Sequence, residues 1–220
     1  MPRAARNVID GFFYHVLNRG NGKQTIFHKD KDYKTFLELM KKAKILFPVD
    51  VLAYCLMPNH YHFLVSPPLA KNLSKWAHWF TSVHAARYHH HYKTSGHIWQ
   101  GRFKNFLVQG DGHFISVLRY IEGNPVRASM VNSAHEWPWS SHRYRNGPQA
   151  SSMIDQLPLP IPLKWGEFVN QTMKPEELNE IHKCITHSLP FGDDEWKLKL
   201  SEQYGIKCSI KKVGRPKKQK

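Results

Sequence analysis

The chain has 220 residues, of which 41% are hydrophobic and 13% aromatic, so it can bury one sizeable core, and wholesale disorder is excluded. Lys and Arg total 32 against 17 Asp and Glu, and this formal charge of +15 favours a polyanionic partner, most often nucleic acid. We see no signal-peptide pattern and no apolar run near 18 residues, so we expect no membrane partner and a cytoplasmic protein.

The first half of the chain predicts strands and helices in alternation. Residues 12–17 are strand-like, and residues 30–47 carry apolar side chains at the three- and four-residue spacing of a helix. Residues 51–56 and 60–65 read as two strands of a hairpin that turns at Pro58-Asn59. A second long helix is predicted from about Leu73 to Tyr92.

The second half continues this pattern with a strand at residues 106–108 and a third helix over 112–123. We expect Asp111 to cap that helix and Asn124-Pro125 to end it, before further helices at about 175–187 and 192–204. The order β-α-β-β-α-β-α predicts an α+β fold, a ferredoxin-like split βαβ antiparallel sheet with an extra helix.

Composition divides the chain into three parts. Residues 1–145 form the predicted domain, and residues 146–165, rich in Pro, Ser, Gly and Gln, read as a linker or wrap. Residues 166–220 form a helical C-terminal region that ends in a basic tail. The three cysteines lie far apart without Cys-x-x-Cys spacing, which argues against a cysteine-rich zinc module.

Two histidines one residue apart are the first candidate for chemistry. On a strand, period two places His60 and His62 on one face, where two imidazoles can hold a divalent metal. Packed or solvent-facing histidines give the same pattern. His89, His90 and His91 cannot converge on one ion, because consecutive helical residues point about 100° apart.

Tyr120 and Asn124 are the second candidate, since residues four apart share a face of a helix. A tyrosine beside an apolar stripe is commonly a core residue, yet Arg119 and Arg127 give this one polar company. Asn124 precedes Pro125 and is biased away from helical geometry, which weakens the shared face.

Together these residues suggest phosphoryl transfer. A histidine pair and an amide oxygen can hold a metal that polarises a phosphodiester, and a tyrosine can then attack phosphorus. Such chemistry on single-stranded DNA needs a basic, aromatic groove, part of which can be supplied by Trp99, Phe103, Arg102 and Lys104.

The combination of His60-Tyr61-His62 with the segment from Tyr120 to Arg127 resembles the single-tyrosine HUH transposases. Within that superfamily the chain is most similar to the REP-associated tyrosine transposases. The likeness covers roughly residues 10 to 145 and includes Asn18-Arg19-Gly20, Ile26-Phe27, Met57-Pro58-Asn59-His60, Trp99-Gln100-Gly101-Arg102-Phe103 and Trp139-Ser140-Ser141.

This resemblance implies a role for each matching residue. His60, His62 and Asn124 would ligate Mg²⁺ or Mn²⁺, and Tyr120 would be the nucleophile that forms a 5′-phosphotyrosine intermediate. The implied substrate is single-stranded DNA with a REP-like hairpin, and the implied protein is a nucleoid-associated bacterial monomer. Tyr61 departs mildly from the usual bulky hydrophobic residue between the histidines. Two imidazoles prefer softer metals, so we expect Mn²⁺ to work at least as well as Mg²⁺.

Seven residues are predicted to contact DNA: Arg19, Trp99, Arg102, Lys104, Arg119, Arg127 and Arg215. Arg215 lies in Val213-Gly214-Arg215-Pro216-Lys217, which is similar to an AT-hook core but lacks its preceding arginine. A generic basic tail that adds salt-dependent affinity explains this segment equally well.

Three other functions compete with the transferase. A repeat-binding regulator would keep the fold without cleavage, although all the catalytic positions are filled here. A zinc hydrolase is disfavoured because no carboxylate or third histidine lies close in sequence. An RNA-binding sheet would carry aromatic residues on its exposed face, where this chain predicts histidines.

Overall fold

The computed structural model describes residues 8–145 and 153–208, and the predicted α+β fold is confirmed. Four strands and seven α-helices lie in these two stretches. Their bounds are β1 Phe13–Arg19, α1 Asp30–Leu46, β2 Asp50–Met57, β3 His60–Ser66, α2 Ala70–Tyr92, β4 Lys104–Val108, α3 Gly112–Glu122, α4 Asn124–Arg127, α5 Trp165–Asn170, α6 Pro175–His187 and α7 Asp194–Tyr204.

The four strands form one antiparallel sheet in the order β2-β3-β1-β4. The hairpin turn between β2 and β3 is anchored from outside, because the Pro58 carbonyl accepts hydrogen bonds from the amides of Ile26 and Phe27. In the register of β1 with β3, Arg19 lies opposite His60 and Leu17 lies opposite His62. The start of β3 therefore sits in the middle of the sheet, at one end of its strands.

Each face of the sheet is covered by helices. Tyr61, Phe63 and Val65 point to the face that α1 and α2 cover, and all three are fully buried. His62 and Leu64 alternate with them, and Leu64 packs in the second core, on the α3 side. Because side chains alternate along a strand, the pattern that buries the aromatic residues also presents the histidines to α3.

Helix α3 begins as the sequence predicted and ends differently. The Asp111 carboxylate accepts a hydrogen bond from the His113 amide at 2.8 Å, as an N-cap does. The chain does not stop at Asn124-Pro125 but turns at Gly123 into the short helix α4. Pro125 is tolerated there because the first turn of a helix does not use its backbone N–H groups.

The C-terminal region packs into the same core as α3. Trp165 and Val169 of α5 and Ile181 and Cys184 of α6 are buried beside α3. Helix α5 was not predicted, because six residues show too little periodicity. Each such apolar side chain contributes about 1.5–3 kcal/mol when fully buried, so this region holds α3 on the sheet.

Part of the predicted linker crosses the sheet edge. The Asp155 carboxylate accepts a hydrogen bond from the Val51 amide at 2.7 Å and forms an ion pair with Lys44. Residues 146–152 lie outside the described part of the chain. None of the described helices combines the length and the apolar character that a membrane span requires.

Candidate active site

A third histidine joins the pair that the sequence predicted. His60 is partly buried and His62 is 3% exposed, and their ring centroids lie 5.0 Å apart. His15 of β1 is fully buried beside them, with its Nε2 atom 2.8 Å from Nδ1 of His62. Three imidazoles therefore share this end of the sheet.

Each ring of the predicted pair uses Nδ1 for a hydrogen bond. Nδ1 of His60 lies 2.6 Å from Oδ1 of Asn59, and Nδ1 of His62 faces His15. Within residues 8–145 and 153–208, Nε2 of neither ring has a hydrogen-bond partner. Both Nε2 atoms are thus available to a ligand.

The two rings are held in the neutral form. Burial, followed by the charge of Arg19, lowers the pKa of His60 to about 4. Burial also lowers the pKa of His62 well below its usual value, and the neighbouring imidazoles His15 and His60 lower it further. A neutral imidazole keeps a lone pair for a metal, so this pair suits a divalent ion at neutral pH.

Helix α3 brings Tyr120 to the histidines. Its ring centroid lies 5.8 Å from that of His62 and 5.9 Å from that of His15, and the residue is 6% exposed. The Arg127 guanidinium lies over the Tyr120 ring, 4.1 Å from its centroid, and its Nη2 donates to the Tyr120 carbonyl at 2.6 Å. Burial raises the pKa of the Tyr120 phenol, whereas the charge and hydrogen bond of Arg127 oppose that rise.

Asn124 lies one helical turn beyond Tyr120, at the first residue of α4. The residue is 8% exposed, and its side-chain amide makes no hydrogen bond to any described residue. Nowhere in the described ranges do three or more His, Cys, Asp or Glu side chains form a group able to hold a metal. The two Nε2 atoms and the Asn124 amide oxygen are the candidate donors for a metal, a set that would leave positions open.

Glu122 anchors the same helix from its other side. Its Oε1 accepts hydrogen bonds from Ser141 Oγ at 2.6 Å and Arg145 Nε at 2.8 Å. Its Oε2 accepts from Trp165 Nε1 at 2.7 Å and His142 Nδ1 at 3.1 Å. Burial would raise the pKa of Glu122, but these donors outweigh it and hold the pKa at about 2.

A basic groove lies along the ends of β1 and β4, at the β4 edge of the sheet. Its volume is about 820 Å³, and it lies between that edge and the segments that follow α6 and α7. Its cationic lining residues are Arg19, Arg102, Lys104 and Lys207, and no Asp or Glu of the described chain lines it. Arg19 lies opposite His60 in the sheet, so the groove opens beside the histidine pair.

The seven predicted DNA contacts divide between this groove, the core and the tail. Arg19, Arg102 and Lys104 line the groove, whereas Arg215 lies outside the described residues. Trp99 corrects our prediction, because its ring packs against Phe36, Tyr61 and His84, its Nε1 donates to the Thr81 carbonyl, and only 9% of the residue is exposed. It has no free face on which a base can stack.

The two arginines around Tyr120 also make protein contacts. Arg119 is 7% exposed, donates to the Gln171 carbonyl at 2.8 Å and lies over the Phe168 ring, so it ties α3 to α5. Arg127 contacts Tyr120 as described above. The positive charges of the two arginines suggested a DNA-binding surface. The packing of α5 decides where the Arg119 guanidinium lies, and the position of α4 decides this for Arg127.

Sequence reasoning missed three residues of this site. His15 shares the period-two face of the histidine pair, a signal that can be used only once β1 is known to pair with β3. Asn59 adjoins His60 in the turn that was predicted, yet its bond to His60 was not foreseen. His182 of α6, whose ring centroid lies 5.9 Å from that of Tyr120, carries no local signal.

Comparisons with known proteins show the family and the fold of this chain. The family model described as "Transposase IS200 like" matches residues 9–124. A Haemophilus influenzae protein named as a REP-associated tyrosine transposase is 30% identical over 44% of this chain, which spans 61% of that relative's length. A solved REP-associated tyrosine transposase bound to a REP hairpin matches with a TM-score of 0.52 at 20% identity, over 71% of this chain and 95% of that one. At that identity the solved structure supports the fold.

Proposed function

Because the chain belongs to the IS200-like transposase family, we propose that it is a metal-dependent endonuclease and strand transferase for single-stranded DNA. The observation that carries the proposal is the contact of Tyr120 with His62 of the histidine pair, whose ring centroids lie 5.8 Å apart although the two elements are far apart in sequence. Tyr120 lies under the Arg127 guanidinium and beside His62, whose Nε2 makes no hydrogen bond within the described residues, and a tyrosine that accepts a phosphoryl group needs neighbours of this kind.

His60, His62 and Asn124 would hold the divalent ion, either Mg²⁺ or Mn²⁺. The bound ion would supply charge neutralisation on the phosphodiester oxygens. The protein's part is to keep both imidazoles neutral by burial, so that no proton competes for their lone pairs. With two nitrogen donors, we expect Mn²⁺ to support the reaction at least as well as Mg²⁺.

Tyr120 would attack the phosphorus atom of the scissile phosphodiester. The bond from its phenolic oxygen to phosphorus forms while the bond from phosphorus to the 3′-oxygen breaks. The phenolic proton passes to solvent, the leaving 3′-oxygen takes up a proton, and the products are a 5′-phosphotyrosine and a free 3′-hydroxyl. Attack by a 3′-hydroxyl on that phosphotyrosine reverses these steps and joins strands.

Arg127 would make this attack easier. Its guanidinium lies over the Tyr120 ring, where positive charge stabilises the phenolate that develops as the proton leaves. Burial opposes ionisation of the same phenol. The arginine thus offsets part of the rise in the pKa of the phenol that burial causes.

The proposed substrate is a single strand that carries a REP-type hairpin. The family membership and the name of the Haemophilus influenzae relative support this class of DNA. The basic groove supports a single strand, since its four cations and absence of described acidic residues suit a phosphate backbone, and it opens beside His60. We propose that Arg19, Arg102 and Lys104 contact this strand.

The test incubates wild-type protein and Tyr120→Phe with labelled single-stranded REP DNA, in Mn²⁺ and in EDTA, and resolves covalent adducts on a denaturing gel. We expect an adduct only with wild type and metal. Tyr54→Phe is the matched control, because it removes another buried phenol, on the other face of the sheet. Binding of the same DNA should survive Tyr120→Phe and weaken several-fold in an Arg102→Ala, Lys104→Ala double variant.

A wild-type protein that binds the hairpin but forms no adduct with any metal would contradict the transferase. The protein would then be a repeat-binding regulator. An adduct that Tyr120→Phe retains would instead show that another residue is the nucleophile.

A further inference from the structure

Asn59 has its side chain fixed in one orientation. Its Nδ2 donates to the Lys23 carbonyl at 3.0 Å, so its other amide atom, Oδ1, is the one that faces Nδ1 of His60 at 2.6 Å. An amide oxygen can only accept a hydrogen bond, so Nδ1 of His60 must carry the proton. The neutral ring then has its lone pair on Nε2.

His15 stands in a similar relation to His62. Its position is set by the sheet, where it lies opposite Leu64 and Phe106, and its ring packs edge-on against Phe106 with centroids 4.9 Å apart. Its Nε2 contacts Nδ1 of His62, while its own Nδ1 is buried with no partner in the described chain. Within the described residues, the one hydrogen bond of this buried ring is therefore to a proposed metal ligand.

One proton lies between these two nitrogens. If it sits on His15, the neutral His62 ring carries its other proton on Nε2 and cannot bind a metal there. If it sits on His62, Nε2 of that ring is free and His15 accepts the bond. Metal binding through Nε2 thus requires His15 to be the acceptor.

We propose that Asn59 and His15 are positioning residues that commit Nε2 of His60 and of His62 to the metal. This inference rests on the proposed function. Partners of this kind fix the tautomer and the direction of a ligating imidazole, and their loss commonly costs 10- to 100-fold in metal affinity.

Histidine tautomers in the metal-free protein give the first test. Long-range ¹H–¹⁵N spectra at neutral pH should show His60 as the Nδ1–H tautomer, although free histidine prefers Nε2–H. Asn59→Ala should release this preference, and Asn59→Asp, which keeps an acceptor oxygen, should retain it. An Nε2–H tautomer at His60 in the wild type would overturn the role of Asn59.

Titration with Mn²⁺ alone, followed by electron paramagnetic resonance, gives the second test. We expect Asn59→Ala and His15→Phe to weaken Mn²⁺ binding 10- to 100-fold, and His15→Gln, which offers an acceptor oxygen, to recover part of the loss. His84→Phe is the control, because His84 is a 5% exposed imidazole among aromatic rings on the other face of the sheet. Thermal unfolding of each variant checks that it folds.

The outcomes separate this inference from the proposed function. Wild-type binding that Asn59→Ala and His15→Phe both retain within twofold would overturn the positioning role alone. If His15→Gln weakens Mn²⁺ binding as much as His15→Phe does, the positioning role of His15 would be overturned, because an acceptor oxygen at this position would then not substitute for the imidazole. A wild-type protein that binds no Mn²⁺ would overturn the metal site itself.

Discussion

Tyr120 and Glu122 lie two residues apart on α3, and their surroundings differ in one respect. Both carboxylate oxygens of Glu122 accept two hydrogen bonds each, and its pKa falls to about 2. Around Tyr120, two imidazole nitrogens and the Asn124 amide lack partners in the described chain, and the pKa of the phenol is raised. The groups around Glu122 are thus committed to holding the fold, whereas those around Tyr120 are free to contact a ligand.

Asn124→Ala should give the largest difference between the effect on adduct formation and the effect on stability. We expect adduct formation to fall about a hundredfold or more, because a proposed metal ligand is lost, while the free energy of unfolding changes by less than about 1 kcal/mol, since no hydrogen bond is removed. Rates from denaturing gels and urea unfolding curves measure the two effects.

Asn72→Ala is the matched control for that prediction. Asn72 is also 8% exposed, but its Nδ2 donates to the Pro48 carbonyl at 3.1 Å on the other side of the sheet. Asn72→Ala should lower the free energy of unfolding by about 1 kcal/mol and leave the rate of adduct formation unchanged. Similar behaviour of the two variants would remove the contrast between the two kinds of buried amide.

Glu122→Ala should chiefly affect stability. Removal of this carboxylate leaves Arg145 buried without its charge partner, and breaking a buried pair in this way costs about 3–5 kcal/mol. Urea unfolding measures the loss. Glu122→Gln keeps the side-chain volume and part of the hydrogen bonding, so its free energy of unfolding should fall less than that of Glu122→Ala. A stable Glu122→Ala with a slow reaction would mean that Glu122 serves the chemistry instead.

Acid should reveal the same cluster without mutation. The folded pKa of Glu122, about 2, lies below the ordinary value of 4.5, so the unfolded chain binds the proton first as the pH falls. This carboxylate therefore contributes as much as about 3 kcal/mol to the free energy of unfolding. The contribution is complete above about pH 4.5 and is lost as the pH falls towards 2. The difference in unfolding free energy between wild type and Glu122→Gln should shrink over that range. A difference that stays constant with pH would contradict the depressed pKa.

Arg127→Met tests the electrostatics of the nucleophile and has the smallest expected effect. Loss of the charge over the ring should raise the pKa of Tyr120 further, so adduct formation should slow about tenfold at neutral pH and recover as the pH rises. Rates measured across a pH series check this. Arg127→Lys keeps a positive charge, so its rate of adduct formation at neutral pH should lie between those of the wild type and Arg127→Met. A pH profile identical to that of the wild type would remove Arg127 from the chemistry.

Period-two and helical spacing predicted most of the fold correctly. The strand at His60 to Val65 was recognisable because its aromatic and histidine residues alternate, and α3 was recognisable from Asp111 and its apolar stripe. Helix α5 and the turn at Gly123 escaped prediction, since six residues carry no clear period and a residue before proline is only biased against helix. The burial of Trp99 and Arg119 was not predicted, because composition does not distinguish a buried ring or guanidinium from an exposed one.

The sequence by itself determined which groups can do chemistry: the histidine pair on one strand face, a tyrosine and an amide one helical turn apart, and a cationic surface. It could do so because strand and helix periods are local properties of the backbone. The tertiary structure decided which of these groups meet and which nitrogens are free. His15, Asn59 and Glu122 take their roles from strand pairing, from the Lys23 carbonyl and from the residues around Trp139-Ser140-Ser141 and Trp165. Hydrogen bonds between residues distant in sequence depend on positions that no local spacing encodes.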